Sequence, residues 1–173
     1  MDPCAAWAAA DTPTADFTDN GDGTVTHKTT GLTWMRCAMG QTWTGSNCSG
    51  SAQTYTYAQA VALTQTYAGY SDWRLPTIAE LHNIVERERY NPTINTEVFP
   101  NATSDGFWSA SVYANDPYYA WSVGFGNGGD YGKGKYNAVR LVRGGQSLAL
   151  LDSVDLTASL ADFPRSGQTR RQP

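Results

Sequence analysis

The chain has 173 residues, a formal net charge of −4 and only 16% charged residues, against six Trp, ten Tyr and five Phe. That length fits one domain burying about 70% of the surface its unfolded form exposes, and so many rings among so few charges exclude a coiled coil or a disordered polyelectrolyte. Mild acidity argues against a nucleic-acid partner, which needs clustered Lys and Arg, and no apolar run approaches the roughly 20 residues of a membrane helix.

Residues 1–16 are mainly Ala, Thr, Pro and Asp and read as a lead-in with little to bury. MDPCAAWAAA has neither a basic leader nor a long apolar stretch, so it reads as the start of a mature or trimmed chain rather than a signal peptide. The domain is expected to begin at Phe17. In FTDNGDGTVTHKTTGLTWMRC, Asn20-Gly21 and Asp22-Gly23 accept positive φ and predict a tight turn between short strands. DNGDG also invites a calcium reading, but Gly21 breaks the alternation of oxygen ligands and no Glu follows at the twelfth position. A hairpin is therefore favoured.

Cys37 and Cys48 flank AMGQTWTGSN, a polar loop that closes easily, and a disulfide there would contribute about 3 kcal/mol in the chain-entropy model. It would assign the chain to an oxidising compartment; the alternative is two reduced, buried thiols. Cys4 has no obvious mate. His27 and His82 lie at no spacing that joins the cysteines into a zinc set, and no metal or cofactor is expected.

Two helices are signalled. Thr56 with Gln59 forms a capping-box pattern before Ala60, Val61 and Leu63, with Gly69 where a helix would stop. Thr77 with Glu80 forms a second, before a stripe of Ile78, Leu81, Ile84 and Val85, with Asn91-Pro92 as the stop. His82 reads as a boundary histidine, Glu86, Arg87, Glu88 and Arg89 as a solvated face of weak ion pairs, and Arg74 as an ion-pair partner of Asp72.

Residues 108–143 are the most informative. Trp121, Val123 and Phe125 recur with period two and Val139 and Leu141 answer them, which predicts two strands burying one face each and turns Ser122 and Gly124 outward. Around them stand rings with polar tips and short adaptable groups, a composition suited to binding. The candidate contacts are Ser111, Tyr113, Asn115, Asp116, Tyr118, Tyr119, Ser122, Gly124, Asn127, Asp130, Tyr131, Lys133, Tyr136 and Asn137. The plainer alternative is a glycine-rich hairpin exposed only because loops are exposed. Residues 147–173 read as an extension whose last residues are disordered.

Together FTDNGDGTVTHKTTGLTWMRC, GYSDWRLPTIAELHNIV, YNPTINTEVFPN, FWSAS, AW and AVRLVRGG resemble the C-terminal domain family of collagen-like bacterial surface proteins, the Lcl domain, over about residues 17–146. The resemblance implies an α+β, C-type-lectin-like fold: two helices packed on a small twisted antiparallel sheet with long loops. It further implies similarity to the variable proteins of diversity-generating retroelements, in which adenine-directed changes yield mostly Asn, Asp, Ser, Gly and Tyr at ligand contacts, as in residues 115–119 and 122–138. Trp108, Ser109, Trp121, Val123, Phe125, Val139, Leu141 and Arg143 then match the scaffold. One departure is Arg89, which stands where the family pattern has a Cys that could pair with an N-terminal one.

WRLPTIAEL and AVRLVRG also resemble formylglycine-generating, sulfatase-modifying enzymes, which depend on reactive cysteines late in the chain. This sequence has no Cys after position 48, and no nucleophile–base pairing is visible. The expectation is therefore a non-catalytic receptor or adhesin domain, extracytoplasmic or cell-surface, that binds a protein or glycan on another cell or surface through residues 111–138. A retroelement-diversified receptor is the sharper version and a fixed polysaccharide-binding adhesin the blander one. The oligomeric state stays open.

Overall fold

The computed structural model describes residues 11–113, 116–131 and 136–145, with the backbone alone at 113 and 116–119. These form eleven short strands and two short α-helices, an α+β arrangement dominated by sheet. Phe17–Asp19 (β1), Thr24–His27 (β2), Thr33–Met35 (β3) and Val142–Arg143 (β11) build a four-stranded sheet. Thr42–Trp43 (β4) and Cys48–Ser49 (β5) pair as a small hairpin. Thr54–Tyr55 (β6), Asn137–Ala138 (β10), Gly106–Tyr113 (β7), Asp116–Gly124 (β8) and Gly129–Tyr131 (β9) form a five-stranded sheet in that order.

The DNGDG segment is a hairpin turn between β1 and β2, with Gly21 and Gly23 at φ 79° and 87°. Asp19 Oδ1 accepts the Gly21 N–H and Asp22 Oδ1 the Thr24 N–H, the local side-chain turns that make Asp and Asn frequent here. A Cβ on Gly23 would sit 2.1 Å from the Tyr67 hydroxyl and 2.8 Å from the Trp43 ring, so close approach and positive φ both demand glycine.

Both capping boxes form: Thr56 with Gln59 opens Tyr57–Val61 (α1), and Thr77 with Glu80 opens Ile78–His82 (α2). The helices are shorter than their sequence patterns, at five residues each. After α1 the chain passes into a Tyr67–Tyr70 bridge, and after α2 Val85 bridges Ile94. The stripe still serves the core, since Leu81, Ile84 and Val85 are buried with Ile78 packed against them. Glu80 also binds Arg74 in a two-pronged pair, 2.8 Å on each side, while Asp72 pairs with Arg143 at 2.7 Å; the expected Asp72–Arg74 pairing is replaced. Burial raises the Glu80 pKa, but hydrogen bonds from Arg74 and Thr77 outweigh it and hold the carboxyl below its ordinary range.

Two clusters pack the faces of the five-stranded sheet. Phe107, Val123, Phe125 and Ala138 join Leu81, Ile84, Ile94, Phe99 and Trp34 in one, and Trp108, Ala120, Val139 and Leu141 join Trp73, Leu75 and Ala60 in the other. The sheet is not wholly antiparallel: β10 runs parallel to β7, pairing Ala138 with Phe107. Val139 and Leu141 do not form a strand opposite Trp121, Val123 and Phe125. They lie on the crossing from β10 in one sheet to β11 in the other, with Arg140 fully buried between them. Arg140 Nη1 donates to the carbonyls of Met35 and Arg36, its guanidinium lies 4.7 Å from the Phe99 ring centroid, and desolvation pushes its pKa down to about 9.

The charged run after α2 is corrected at its first member. Glu86 is 0% exposed, and its carboxylate accepts the N–H groups of Asp11, Thr12 and Glu88 and the Thr12 hydroxyl. Residues 11–16, read from the sequence as lead-in, are tied down by these bonds and by Asn95 Nδ2 donating to the Thr12 carbonyl. Cys37 and Cys48 form the expected disulfide, Cα atoms 5.4 Å apart, with both residues buried. No helix among the described residues is long and apolar enough to cross a membrane.

Candidate functional site

The β7–β8–β9 ladder shapes one face of the five-stranded sheet. Gly106 pairs with Gly124, Trp108 with Ser122, and Ser122 in turn with Tyr131. Side chains alternate across a strand, so Gly106, Trp108, Ser122 and Gly124 share a face opposite to Phe107 and Val123. Where Trp108 stands that face is filled. Beside the two glycines it is hollow, and a cleft of about 520 Å3 opens over them, lined by Tyr90, Asn91, Ser104, Gly106, Ser122, Gly124, Gly126, Asn127, Tyr131 and Asn137.

Tyr131 forms one wall. Its ring lies over Gly124, where a Cβ would come within 2.6 Å of Cε2, and its hydroxyl accepts a 2.8 Å hydrogen bond from Asn127 Nδ2. Asn127 Oδ1 meanwhile accepts the Gly129 N–H at 3.0 Å, so the turn after β8 and the ring are braced by one side chain. Asp130, next to Tyr131, pairs with His82 Nε2 at 2.7 Å and thereby fastens β9 to α2. Tyr90 stands on the rim, 81% exposed, and the Ser104 hydroxyl donates to Asn91 Oδ1 beside it.

Asn137 reaches over Gly106, with Oδ1 2.5 Å from where a Cβ would stand. It is 9% exposed, and its Nδ2 has no hydrogen-bond partner among the described residues. A buried amide donor left unmade costs about 1–3 kcal/mol, a cost that a bound acceptor would remove. The described lining carries no carboxyl, imidazole, ammonium or guanidinium group, only amides, hydroxyls, phenols and glycines.

Of the residues expected from sequence to touch a ligand, Ser122, Gly124, Asn127, Tyr131 and Asn137 converge on this cleft. The outward orientation predicted for Ser122 and Gly124 is corrected. Ser122 is 1% exposed with its hydroxyl donating to the Tyr131 carbonyl, and Gly124 lies beneath the Tyr131 ring; both are floor, because side chains from neighbouring strands lean over the face that alternation alone leaves open. Trp121, expected inward, is only partly buried. Ser111 serves the scaffold, its Oγ accepting the Ile78 N–H at the start of α2. Asp130 is engaged by His82, and Tyr136 is exposed but does not line the cleft. Tyr113, Asp116, Tyr118 and Tyr119 are placed by backbone alone, at the far end of the β7–β8 ladder, and Asn115 and Lys133 fall outside the described residues.

Sequence reasoning missed Tyr90, Asn91, Ser104, Gly106 and Gly126. Asn91 had been read only as a helix stop; a solvent-directed Tyr beside it was the one available sign. The Gly106–Gly124 pairing carries no local signature. No curated protein matches the chain. A family model for the Lcl C-terminal domain matches residues 23–143, more than half of the sequence, and the chain belongs to that family.

Proposed function

We propose that this is a non-catalytic ligand-binding domain of a bacterial surface protein, adhesin- or receptor-like, which engages a protein or glycan through the cleft over Gly106 and Gly124. The observation that carries the reading is convergence: Ser122, Gly124, Asn127 and Tyr131 meet Tyr90 and Ser104 around a buried Asn137 amide whose Nδ2 has no partner among the described residues. Family membership supports surface display, and a disulfide suits an extracytoplasmic compartment. We take the fold to be C-type-lectin-like, a reading supported by two short capped helices set against antiparallel sheets. The formylglycine-generating alternative is disfavoured because two of the three cysteines are joined to each other and none follows position 48.

The sharper form of the proposal is a surface diversified by a retroelement. Ser122, Asn127, Tyr131 and Asn137 are residues of the kind such diversification yields, and all four line the cleft. A second copy of the coding DNA for residues 108–143, differing at adenines and adjoining a reverse transcriptase gene, would establish it; sequencing that finds no such copy reduces the reading to a fixed adhesin. The binding claim is tested by applying labelled protein to arrays of immobilised surface proteins and glycans. Wild type is expected to bind saturably, and a Tyr90→Ala, Tyr131→Ala double variant to lose that binding while keeping its near-ultraviolet circular dichroism. Equal binding by the folded variant would refute the cleft as the site.

A further inference from the structure

Resting on the binding reading above, we infer that the cleft takes a neutral sugar, a pyranose unit of a non-ionic glycan, stacked against Tyr131 and Tyr90 and hydrogen-bonded to the Asn137 amide. Three observations select this class. The described lining holds no carboxylate, ammonium or guanidinium group, so those residues offer an ionised ligand no counter-charge for the water it would lose. Two phenol rings stand beside short hydroxyl and amide groups, and a pyranose offers the complement: a face of C–H groups for a ring with an apolar body and an equator of hydroxyls for the amides. The Asn137 Nδ2 donor, buried and without an acceptor among the described residues, needs an oxygen, which a ring or hydroxyl oxygen provides.

Size and position argue against a peptide. At about 520 Å3 the cleft falls within the roughly 300–1,000 Å3 of small-molecule sites. It opens on a sheet face whose floor strand β8 is already paired on both sides by β7 and β9, so a peptide cannot enter by pairing its backbone with β8. The sugar is held directly, without a bridging cation; among the described residues no group of three or more His, Cys, Asp or Glu could hold one.

The whole chain is titrated by saturation-transfer NMR with gluco-, galacto-, manno-, fuco- and N-acetylhexosamine glycosides up to trisaccharides, at up to about 10 mM. A heparin fragment and an uncharged Gly/Ser peptide serve as comparison probes. At least one neutral glycan is expected to bind saturably and equally well in EDTA, and Tyr90→Ala and Asn137→Ala are each expected to weaken it about tenfold or more. Tyr90→Ala, at a rim position, should leave the melting temperature unchanged, which keeps the test sound if Asn137→Ala is unstable. Binding of the heparin fragment or the peptide alone, loss of binding in EDTA, or no response to any neutral glycan overturns the inference. In those cases the array experiment decides the broader reading separately: capture that is lost in the Tyr90→Ala, Tyr131→Ala variant leaves the cleft as a binding site for another class of ligand. Neutral-glycan binding that survives both tyrosine substitutions refutes the cleft itself.

Discussion

Replacing Glu86 by Gln tests whether a buried carboxylate fastens the N-terminal segment to the core. Its Oε1 accepts the N–H groups of Asp11 and Glu88 at 3.0 and 3.2 Å, and its Oε2 accepts the Thr12 N–H and hydroxyl at 2.9 and 3.1 Å. Gln keeps the shape but offers one oxygen, so its NH2 must face one pair of donors. Two hydrogen bonds to a charged group, each worth about 1.5–3 kcal/mol, are lost, and the lower desolvation cost of an amide offsets part of that. The net is about 2–3 kcal/mol, or a fall in melting temperature of roughly 5–10 °C for a domain of this size. Burial raises the Glu86 pKa, but the N–H donors Thr12, Asp11 and Glu88 together with the Thr12 hydroxyl outweigh it, leaving the carboxyl below its ordinary value. Its contribution is therefore complete above the unfolded carboxyl pKa and lost as pH falls through the lower folded value. His27, whose pKa burial depresses, also destabilises the fold as pH drops below its ordinary value, but it does so in both proteins and cancels in their difference. Thermal unfolding by near-ultraviolet circular dichroism from neutral pH downward should show a gap that closes in acid, and hydrogen exchange should show the Asp11 and Thr12 amides deprotected in the variant. A gap under about 1 °C at neutral pH, or one that widens on acidification, refutes the reasoning.

Two other outcomes are expected. Intact-mass analysis after alkylation should find Cys37 and Cys48 unlabelled before reduction and both labelled after it, with reduction costing about 3 kcal/mol on the chain-entropy estimate for a closed loop of this length; label on either without reductant would contradict the bond. Gly124→Ala places a methyl 2.6 Å from the Tyr131 ring, so the ring must swing aside and release the Asn127 amide, while the strand gains roughly 0.5–1 kcal/mol from losing a glycine. NMR should therefore show shifted Tyr131 ring and Asn127 side-chain resonances with a melting temperature near wild type, and unchanged resonances would mean that the ring does not cover Gly124.

What could be read from the sequence was set by interactions a few residues long. Thr56 with Gln59, Thr77 with Glu80, and the Asp19 and Asp22 turns are each closed by neighbours within three residues, and a Cys37–Cys48 loop is nearly as local. Glu86 shows where that reach ends. Inside ERERY nothing separates it from its exposed neighbours, and its burial is decided by Asp11 and Thr12, some 75 positions earlier. Helix length was misjudged for a related reason: the apolar stripe continued, but the chain tightened into three-residue turns, with the Ile84 and Val85 N–H groups donating to the Leu81 and His82 carbonyls, and Glu86 N–H then turned to the Thr93 carbonyl beside the Val85–Ile94 bridge. The alternation from Trp121 to Phe125 gave the burial of Val123 and Phe125 correctly and failed for Ser122, because period two says which face a residue takes and not whether side chains from later residues close over it.

The cleft itself follows from that covering. A sheet face packed by indole and aliphatic groups from Trp108 through Val139 would ordinarily continue to its end, since unfilled apolar floor forfeits contacts. It stops because the next residues on that face, Gly106 and Gly124, are paired with each other across the ladder and neither has a side chain. Asn137 and Tyr131 lean in from the flanking strands to within 2.5 and 2.6 Å of the absent Cβ positions, so the floor is polar and ringed, neither dry nor open. Any side chain at either glycine would displace one of these two groups. The paired glycines thus turn a continuous core face into a bounded polar recess, so substitutions on its rim, at Tyr90 above all, are expected to leave the scaffold beneath as it is.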